Sequence, residues 1–310
     1  MAGSTGVLGR RVVPALIAEG HTVTAVARGP AKAAVLRELG AEPVAVDLFD
    51  RAAVVAATAG HDVVMNLATA IPSSSAMLRP SAWEMTSRLR TEGARNLVEG
   101  ALATGASRYV QEALGFVYPD HGDRWIDEGT GLEPAPYAEA VLAAEASTRH
   151  VTEAGGVGVA LRFGMFYSAD SAQTADLIAA ARRGLLTLPG RASAHQPWIH
   201  VDDAAAAVVA ALDAPAGAYN VVEDQPLTHA DHAELLSELL DRRVRRTPDL
   251  VIRSFARLGR GVGEVIGMVS RSQRVSNRRL RDQTSWRPTF GHRRDGWSAV
   301  LRALDTNSGA

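Results

Sequence analysis

Gly3, Gly6 and Gly9 fall at three-residue spacing in "MAGSTGVLGRR", directly ahead of a helical pattern. A pyrophosphate needs backbone N–H groups at close range and a helix N-terminus aimed at it, and side chains would block that approach. Gly3, Ser4, Thr5, Gly6, Val7 and Leu8 are therefore candidates to hold a dinucleotide. The turn does not fit a mononucleotide P-loop, because Arg10 follows Gly9 where a Lys-Ser/Thr pair would be needed. A second candidate is Tyr137, which heads the stretch "PYAEAVLAAE". A phenol placed at the start of a helix can give or take a proton.

Charge beside the next strand bears on which dinucleotide fits. "HTVTAVA" runs into Arg28, with Lys32 four residues on and no acid beside them. An acid there would bind the ribose hydroxyl of NAD and repel a 2′-phosphate; two cations do the reverse, so the expected cofactor is NADPH/NADP. Asp47 and Leu48 end the following strand, where an adenine edge could be held, and Leu67, Ala68 and Thr69 end the one after, against the cofactor's middle. Phe163, at the end of "VGVALRF", completes the candidate cofactor-binding set. His200 in "WIHVDDAA" stands between a strand end and a helix, which reads as a structural hydrogen bond. Asp202 and Asp203 read as caps, and no metal is expected.

These residues need elements to position them. "HTVTAVA", "EPVAVDL", "HDVVMNLA", "SRYVQEA" and "VGVALRF" are apolar, β-rich runs. Helical patterns alternate with them: "PAKAAVLRELG", "DRAAVVAATAG" with Asp50 as N-cap, a long helix from Pro80 to Gly105, and residues 137–155. Near-continuous apolar strands separated by helices specify a parallel sheet covered on both faces, a doubly wound α/β fold. After about residue 165 the alternation weakens. The expected division is a dinucleotide-binding domain at 1–165 and a smaller C-terminal substrate lobe at 166–310. Only Met1 and Ala2 precede Gly3, so the central strand is expected to lie upstream of residue 1, since its loss would bare two strand edges.

Bulk properties narrow the partners. The 310 residues carry a net charge of −1, so no global field favours nucleic acid or an anionic membrane. "DRRVRR" and "RSQRVSNRRLRDQ" read as solvated helix faces. Cysteine is absent, which fits a reducing, cytoplasmic setting. The longest apolar run, "AAAAVVAAL", is too short to span a bilayer. Oligomeric state stays open.

"GSTGVLG", "VDL", "NLA", "FVYPD", "PYAEAVLAAE", "LRFGMFY", "WIHVDDAA" and "YNVVEDQPLT" together resemble the extended short-chain dehydrogenase/reductase superfamily, in its epimerase/dehydratase-like branch. The resemblance implies a Rossmann-type domain, a nicotinamide cofactor and a C-terminal substrate lobe. It also implies a catalytic Asn, Ser, Tyr and Lys. Here Arg90 stands at the Asn position, Leu114 or Ala113 at the Ser position and Val141 at the Lys position; only Tyr137 matches. The single lysine of the chain, Lys32, lies at the cofactor's far end.

An unassisted tyrosine phenol titrates near ~10, so reaching tyrosinate at neutral pH costs about 4 kcal/mol. Alcohol oxidation needs that base, whereas ketone reduction uses the neutral phenol that already dominates. The degraded set resembles ketoreductases that tailor aromatic polyketide antibiotics, whose substrates can supply the proton from a neighbouring phenol. The expectation is an NADPH-dependent ketone reductase of secondary metabolism with Tyr137 or the substrate as proton donor. The alternatives are a nucleotide-sugar epimerase or dehydratase, and a non-catalytic NADP(H)-binding sensor. Met77, Leu78, Trp83, Phe116, Tyr118 and Trp125 are either lid residues for a flat ligand or ordinary core. Arg90 is either an electrostatic donor to a substrate oxygen or a salt-bridged helix residue.

Overall fold

The computed structural model describes residues 1–73, 76, 79–256 and 260–308. In chain order the first half runs α1 (Gly9–Ala18), β1 (Thr24–Val26), α2 (Pro30–Glu38), β2 (Glu42–Val44), α3 (Arg51–Thr58), β3 (Val63–Asn66), α4 (Glu84–Arg88), α5 (Ala94–Thr104), β4 (Arg108–Leu114), β5 (Trp125–Ile126), α6 (Ala140–Glu153) and β6 (Val157–Phe163). The second half adds β7 (Met165–Tyr167), α7 (Ala172–Arg182), β8 (Leu185–Leu186), β9 (Trp198–His200), α8 (Val201–Ala210), β10 (Gly217–Val221), α9 (His229–Leu239), β11 (Arg245–Arg246), α10 (Asp249–Ala256), α11 (Arg260–Val269), β12 (Arg274–Val275), α12 (Arg278–Gln283) and α13 (Arg293–Ser308). As the sequence suggested, the Asp50 carboxylate caps α3 by accepting from the Ala53 amide at 3.1 Å.

The main sheet is parallel, ordered β10-β6-β4-β3, and β1 and β2 form a separate parallel pair. Met1 and Ala2 stand between the two. The Ala2 amide donates to Met65 O at 2.9 Å and its carbonyl accepts from Leu67 N at 3.1 Å. On the other side Val26 N donates to Met1 O at 2.9 Å, and the Met1 ammonium donates to Thr24 O at 2.6 Å. Two residues thus join the halves at the place the sequence reading gave to a full central strand. Burial lowers the Met1 amino group to about 6. Below it lies a slot of about 30 Å³ walled by residues such as Val44, Val54, Val64 and Leu97.

One face of the sheet buries Val110, Val159 and Leu161 against Val12 and Leu16 of α1 and Ala204 and Val208 of α8. The other face buries Val64 and Tyr109 against Val54 of α3 and Leu97 of α5. The chain after residue 165 returns to this sheet, because α8 packs on α1 and β10 pairs with β6. The long helix expected from 80 to 105 is broken: a 3-10 turn at Pro80–Trp83 leads into α4, and a π turn at Leu89–Gly93 separates α4 from α5.

A separate core cluster, drawn from residues 167–301, is built around aromatic rings. Tyr167 stacks on Trp297 with centroids 4.9 Å apart, and Trp198 meets both edge-on. A buried ion pair, Arg293 Nε to Glu223 Oε2 at 2.7 Å, lies beneath them, and Tyr167 Oη donates to Glu223 Oε1 at 2.6 Å. Arginines of the basic stretches are paired: Arg281 with Asp224, Arg278 with Asp282 and Arg271 with Glu133. No helix among the described residues is long and apolar enough to cross a membrane.

Two imidazoles of α9 are buried here. Burial, with Arg246 and Arg293 nearby, pushes His229 down to about 4 and His232 well below its usual value; His195 and Arg191 also face His229. A depressed folded-state value means the unfolded chain binds more protons, so stability is full above about 6.5 and falls as pH drops toward 4. His229 alone accounts for about 3 kcal/mol across that window. Urea midpoints measured at pH 7 and pH 4.5 should therefore diverge, and His229→Gln should narrow the divergence.

Candidate active site

The three glycines of the turn do different work. Gly3 has φ +81°, and a Cβ there would lie 2.3 Å from Leu67 O. A Cβ on Gly9 would lie 2.2 Å from Gly3 O and 2.6 Å from Ser4 Cα. These two let α1 start directly against the turn and the turn lie directly against the end of β3. Gly6 is exposed, and its Cβ would meet only Gly3 O at 3.3 Å. It leaves the outer surface bare beside the N-terminus of α1, the end of a helix that favours an anion. Ser4 is buried and donates to Met1 O at 2.9 Å, so it braces the turn from within. Thr5 and Val7 are half-buried and Leu8 is in the core. The cradle fits a dinucleotide pyrophosphate.

Arg28 and Lys32 are both exposed, on either side of the N-terminus of α2. Asp47 is exposed, and its Oδ1 accepts from Phe49 N at 3.0 Å; Leu48 is buried, with its carbonyl held by Asn96 Nδ2 at 2.9 Å. Leu67 and Ala68 are buried and Thr69 is half-buried, following β3 beside Gly3. Phe163 is buried among core residues that include Leu8 and Leu67, with Phe166 edge-on at 5.3 Å. The turn, the end of β3 and the end of β6 therefore converge at the carboxyl edge of the sheet, where doubly wound folds bind ligands.

At the reacting end, Tyr137 lies in a 3-10 turn, Pro136–Ala138, that leads into α6; its side chain lies outside the described part of the structure. Val141 is fully buried. It packs with Ala113, Leu114, Val117 and Ala138, and with Met268 of α11. The positions of the family's Ser and Lys are thus filled with hydrocarbon.

Arg90, inside the π turn, is 1% exposed. Its Nη2 donates to Glu112 Oε1 at 2.7 Å and its Nε to Glu112 Oε2 at 3.3 Å. The salt-bridged reading of Arg90 is therefore the observed one. Glu112 was missed from sequence. The signal was present as a carboxylate in a strand expected to be covered on both faces, since a buried Glu is almost always paired.

The remaining candidates have structural partners. His200 is the N-cap of α8, with Nδ1 accepting from Asp202 N at 3.3 Å; burial lowers its pKa, and Tyr167 and Phe290 pack on its ring. Asp202 pairs with Arg11. Asp203 accepts from Thr289 N at 2.7 Å and Phe290 N at 2.9 Å, tying the C-terminal segment to α8. Tyr118 belongs to the core: it donates to Asn220 Oδ1 and accepts from Arg162 Nη1, both at 2.7 Å, while Arg162 pairs with Glu145. Trp125 is exposed under Arg274 at 4.3 Å, Trp83 is buried, and Phe116 flanks the Val141 cluster. Met77 and Leu78 lie outside the described residues.

This cradle and sheet define a class. The chain belongs to the NAD dependent epimerase/dehydratase family, whose model matches residues 1–222. It is 33% identical over 309 residues to a 3-diazoavenalumate denitrifying reductase of Streptomyces sp., covering 96% of this chain and 97% of the relative. Among solved structures it is similar to UDP-glucose 4-epimerase of Thermus thermophilus in complex with NAD (TM-score 0.74, 22% identity, 98% of this chain and 97% of that one). It is likewise similar to dTDP-glucose 4,6-dehydratase of Streptomyces venezuelae (TM-score 0.77, 19% identity, 99% and 97%). Those likenesses carry the fold; the family and the reductase relative support a nicotinamide coenzyme and oxidoreductase-type chemistry.

The glycine geometry separates folding from binding. Gly9→Ala should lower unfolding free energy by about 2 kcal/mol through forced overpacking. Gly6→Ala should leave the melting temperature nearly unchanged yet weaken coenzyme binding by about 30-fold, since only the pyrophosphate's path is obstructed. Calorimetry beside thermal melts reads both.

Proposed function

We propose that this protein is an NADPH-dependent reductase of a ketone on a bulky, aromatic, polyketide-like substrate. The observation that carries the reading is the hydrocarbon filling of the relay: Leu114 and Ala113 at the Ser position, and Val141, wholly buried, at the Lys position. A reduced nicotinamide held in the glycine cradle would supply a hydride, one proton with two electrons, to the acceptor carbon.

This chain's residues are suited to positioning and to excluding water more than to shuttling protons. Val141, Leu114, Val117 and Met268 pack together as an apolar cluster where a proton relay would need polar groups. Tyr137, without a lysine four residues on, keeps its proton and serves as a donor to a developing alkoxide. Where the acceptor carries a phenol beside its carbonyl, that phenol replaces Tyr137. An epimerase or dehydratase is disfavoured, because its first step needs a base that no neighbouring lysine helps to form. Arg28 and Lys32 favour the 2′-phosphate of NADPH.

A second reading is favoured by the relative at 33% identity, a denitrifying reductase named for a diazo acceptor. Replacing a diazonium group by hydrogen releases N2 and needs no acid from the protein, which suits the same absence of a polar relay.

Loss of NADPH absorbance with hydroxylated aromatic ketones and, separately, with aromatic diazonium acceptors tests both readings; no turnover with either class sinks them. Arg28→Ala with Lys32→Ala should cut kcat/KM for NADPH by about 100-fold, the loss of two charge-assisted contacts, and leave NADH nearly untouched. Tyr137→Phe should spare ketones with a neighbouring phenol and slow those without one by about 100-fold or more.

A further inference from the structure

The loop that follows β3 is held by two buried side chains. Asn66 Oδ1 accepts from Ala68 N at 3.2 Å, and Asn66 Nδ2 donates to Gln111 Oε1 at 3.0 Å, which also accepts from Tyr109 Oη at 2.6 Å. At the loop's far end, Thr86 Oγ1 accepts from Ala70 N at 3.2 Å and donates to Ala70 O at 2.6 Å. A threonine or serine inside a helix usually turns its hydroxyl back to a carbonyl of its own helix. Thr91 and Ser147 do so, donating to Ser87 O and Ala143 O. Thr86, buried in α4, instead crosses to a segment 16 residues away.

These anchors decide which groups of the loop are left to meet a ligand. Leu67 N donates to Ala2 O, Ala68 N to Asn66 and Ala70 N to Thr86. Thr69 is half-buried between them, and its amide and hydroxyl bond to no atom among the described residues. The loop is also the one against which Gly3 lies, since a Cβ there would meet Leu67 O at 2.3 Å and Ala68 N at 2.7 Å. Thr69 therefore keeps an N–H and an O–H uncommitted at the rim of the glycine cradle. The same helical stretch also braces the loop after β2: Arg88 lies over the Phe49 ring at 3.6 Å, and Asn96 of α5 donates to Leu48 O at 2.9 Å.

We infer that Thr86 is a positioning residue for the coenzyme. Its hydroxyl fixes the backbone at Ala70, so that the amide and hydroxyl of Thr69 are already placed to donate to an oxygen of the dinucleotide; the assignment rests on the coenzyme reading of the glycine cradle. The physical effect is preorganisation. A loop held in its bound geometry loses little freedom when the ligand arrives, whereas a loop released from Thr86 must be ordered by the ligand. Ala70 is half-buried, so water can replace the lost hydroxyl there and the fold itself is little affected.

Thr86→Val keeps the shape of the side chain and removes the hydroxyl, and Thr86→Ser keeps the hydroxyl. Calorimetry on the full chain uses NADPH and, separately, NADH as probes. Hydrogen exchange without coenzyme follows the peptide covering residues 66–72. Thr86→Val should bind the coenzyme about 10-fold more weakly than wild type, near the contribution of one hydrogen bond, and its 66–72 peptide should exchange about 10-fold faster while β4 is unchanged. Thr86→Ser should restore both to within about 2-fold, since the hydroxyl is the group that matters. Equal coenzyme affinity in wild type and Thr86→Val overturns the assignment. An equal loss of affinity in Thr86→Ser also overturns it, because packing and not the hydroxyl would then be the cause. A wild type that binds neither probe sinks the coenzyme reading and this assignment with it.

Discussion

The structure depends on how closely the 3–9 turn lies against the end of β3. Gly3 presses its bare Cα toward Leu67 O, and Gly9 presses toward Gly3 O and Ser4 Cα, at separations no side chain could share. That contact sets where α1 begins and so where its N-terminus points. It also holds the sheet together, because Met1 and Ala2, just before the turn, are the residues that bridge β1 to β3. Ser4 donates to Met1 O and thereby ties the turn to that bridge.

Charge inside the molecule is handled by a single chemistry. Arg90–Glu112, Arg162–Glu145 and Arg293–Glu223 are all buried arginine–glutamate pairs. Arginine keeps its proton under any condition the fold survives, and its planar fork fits a carboxylate at two points. Such pairs confer geometry without exchangeable protons. A buried lysine, by contrast, shifts its pKa readily and can assist a neighbouring base. The chain's one lysine, Lys32, is exposed on α2, so the interior can orient and polarise but has little means of moving protons.

Much of this was legible in the sequence, for identifiable reasons. β6 matches "VGVALRF" residue for residue because a strand buried on both faces is a near-continuous apolar run, interrupted here by Arg162. Asp50 announced α3 because a cap is a local interaction. The edge region was harder: "EPVAVDL" suggested seven residues, and only Glu42–Val44 pair, because β1 offers just three partners. The π turn left no signature, since one extra residue in a helix changes neither composition nor period enough to see. Arg90 could be read two ways because its meaning depends on Glu112, 22 residues away. Tyr118 was offered as a lid or as core, and its hydroxyl is held by Asn220 of β10, a contact 102 residues apart that no local pattern encodes.

The two halves of the site have changed to different degrees, and the difference has a physical reason. The cradle is made of backbone, so any substitution at Gly3 or Gly9 collides with main-chain atoms and damages fold and binding together. The other half is made of side chains, and Val141 and Leu114 are buried in an apolar cluster at the positions where the resemblance would place a lysine and a serine. Such a replacement costs the fold nothing and is tolerated only if the reaction no longer needs the proton to be managed. An acceptor that stabilises its own charge, through a flanking phenol or by losing N2, relaxes that need. The hydrocarbon around Val141 is then an asset, because dry surroundings strengthen whatever polar contact remains.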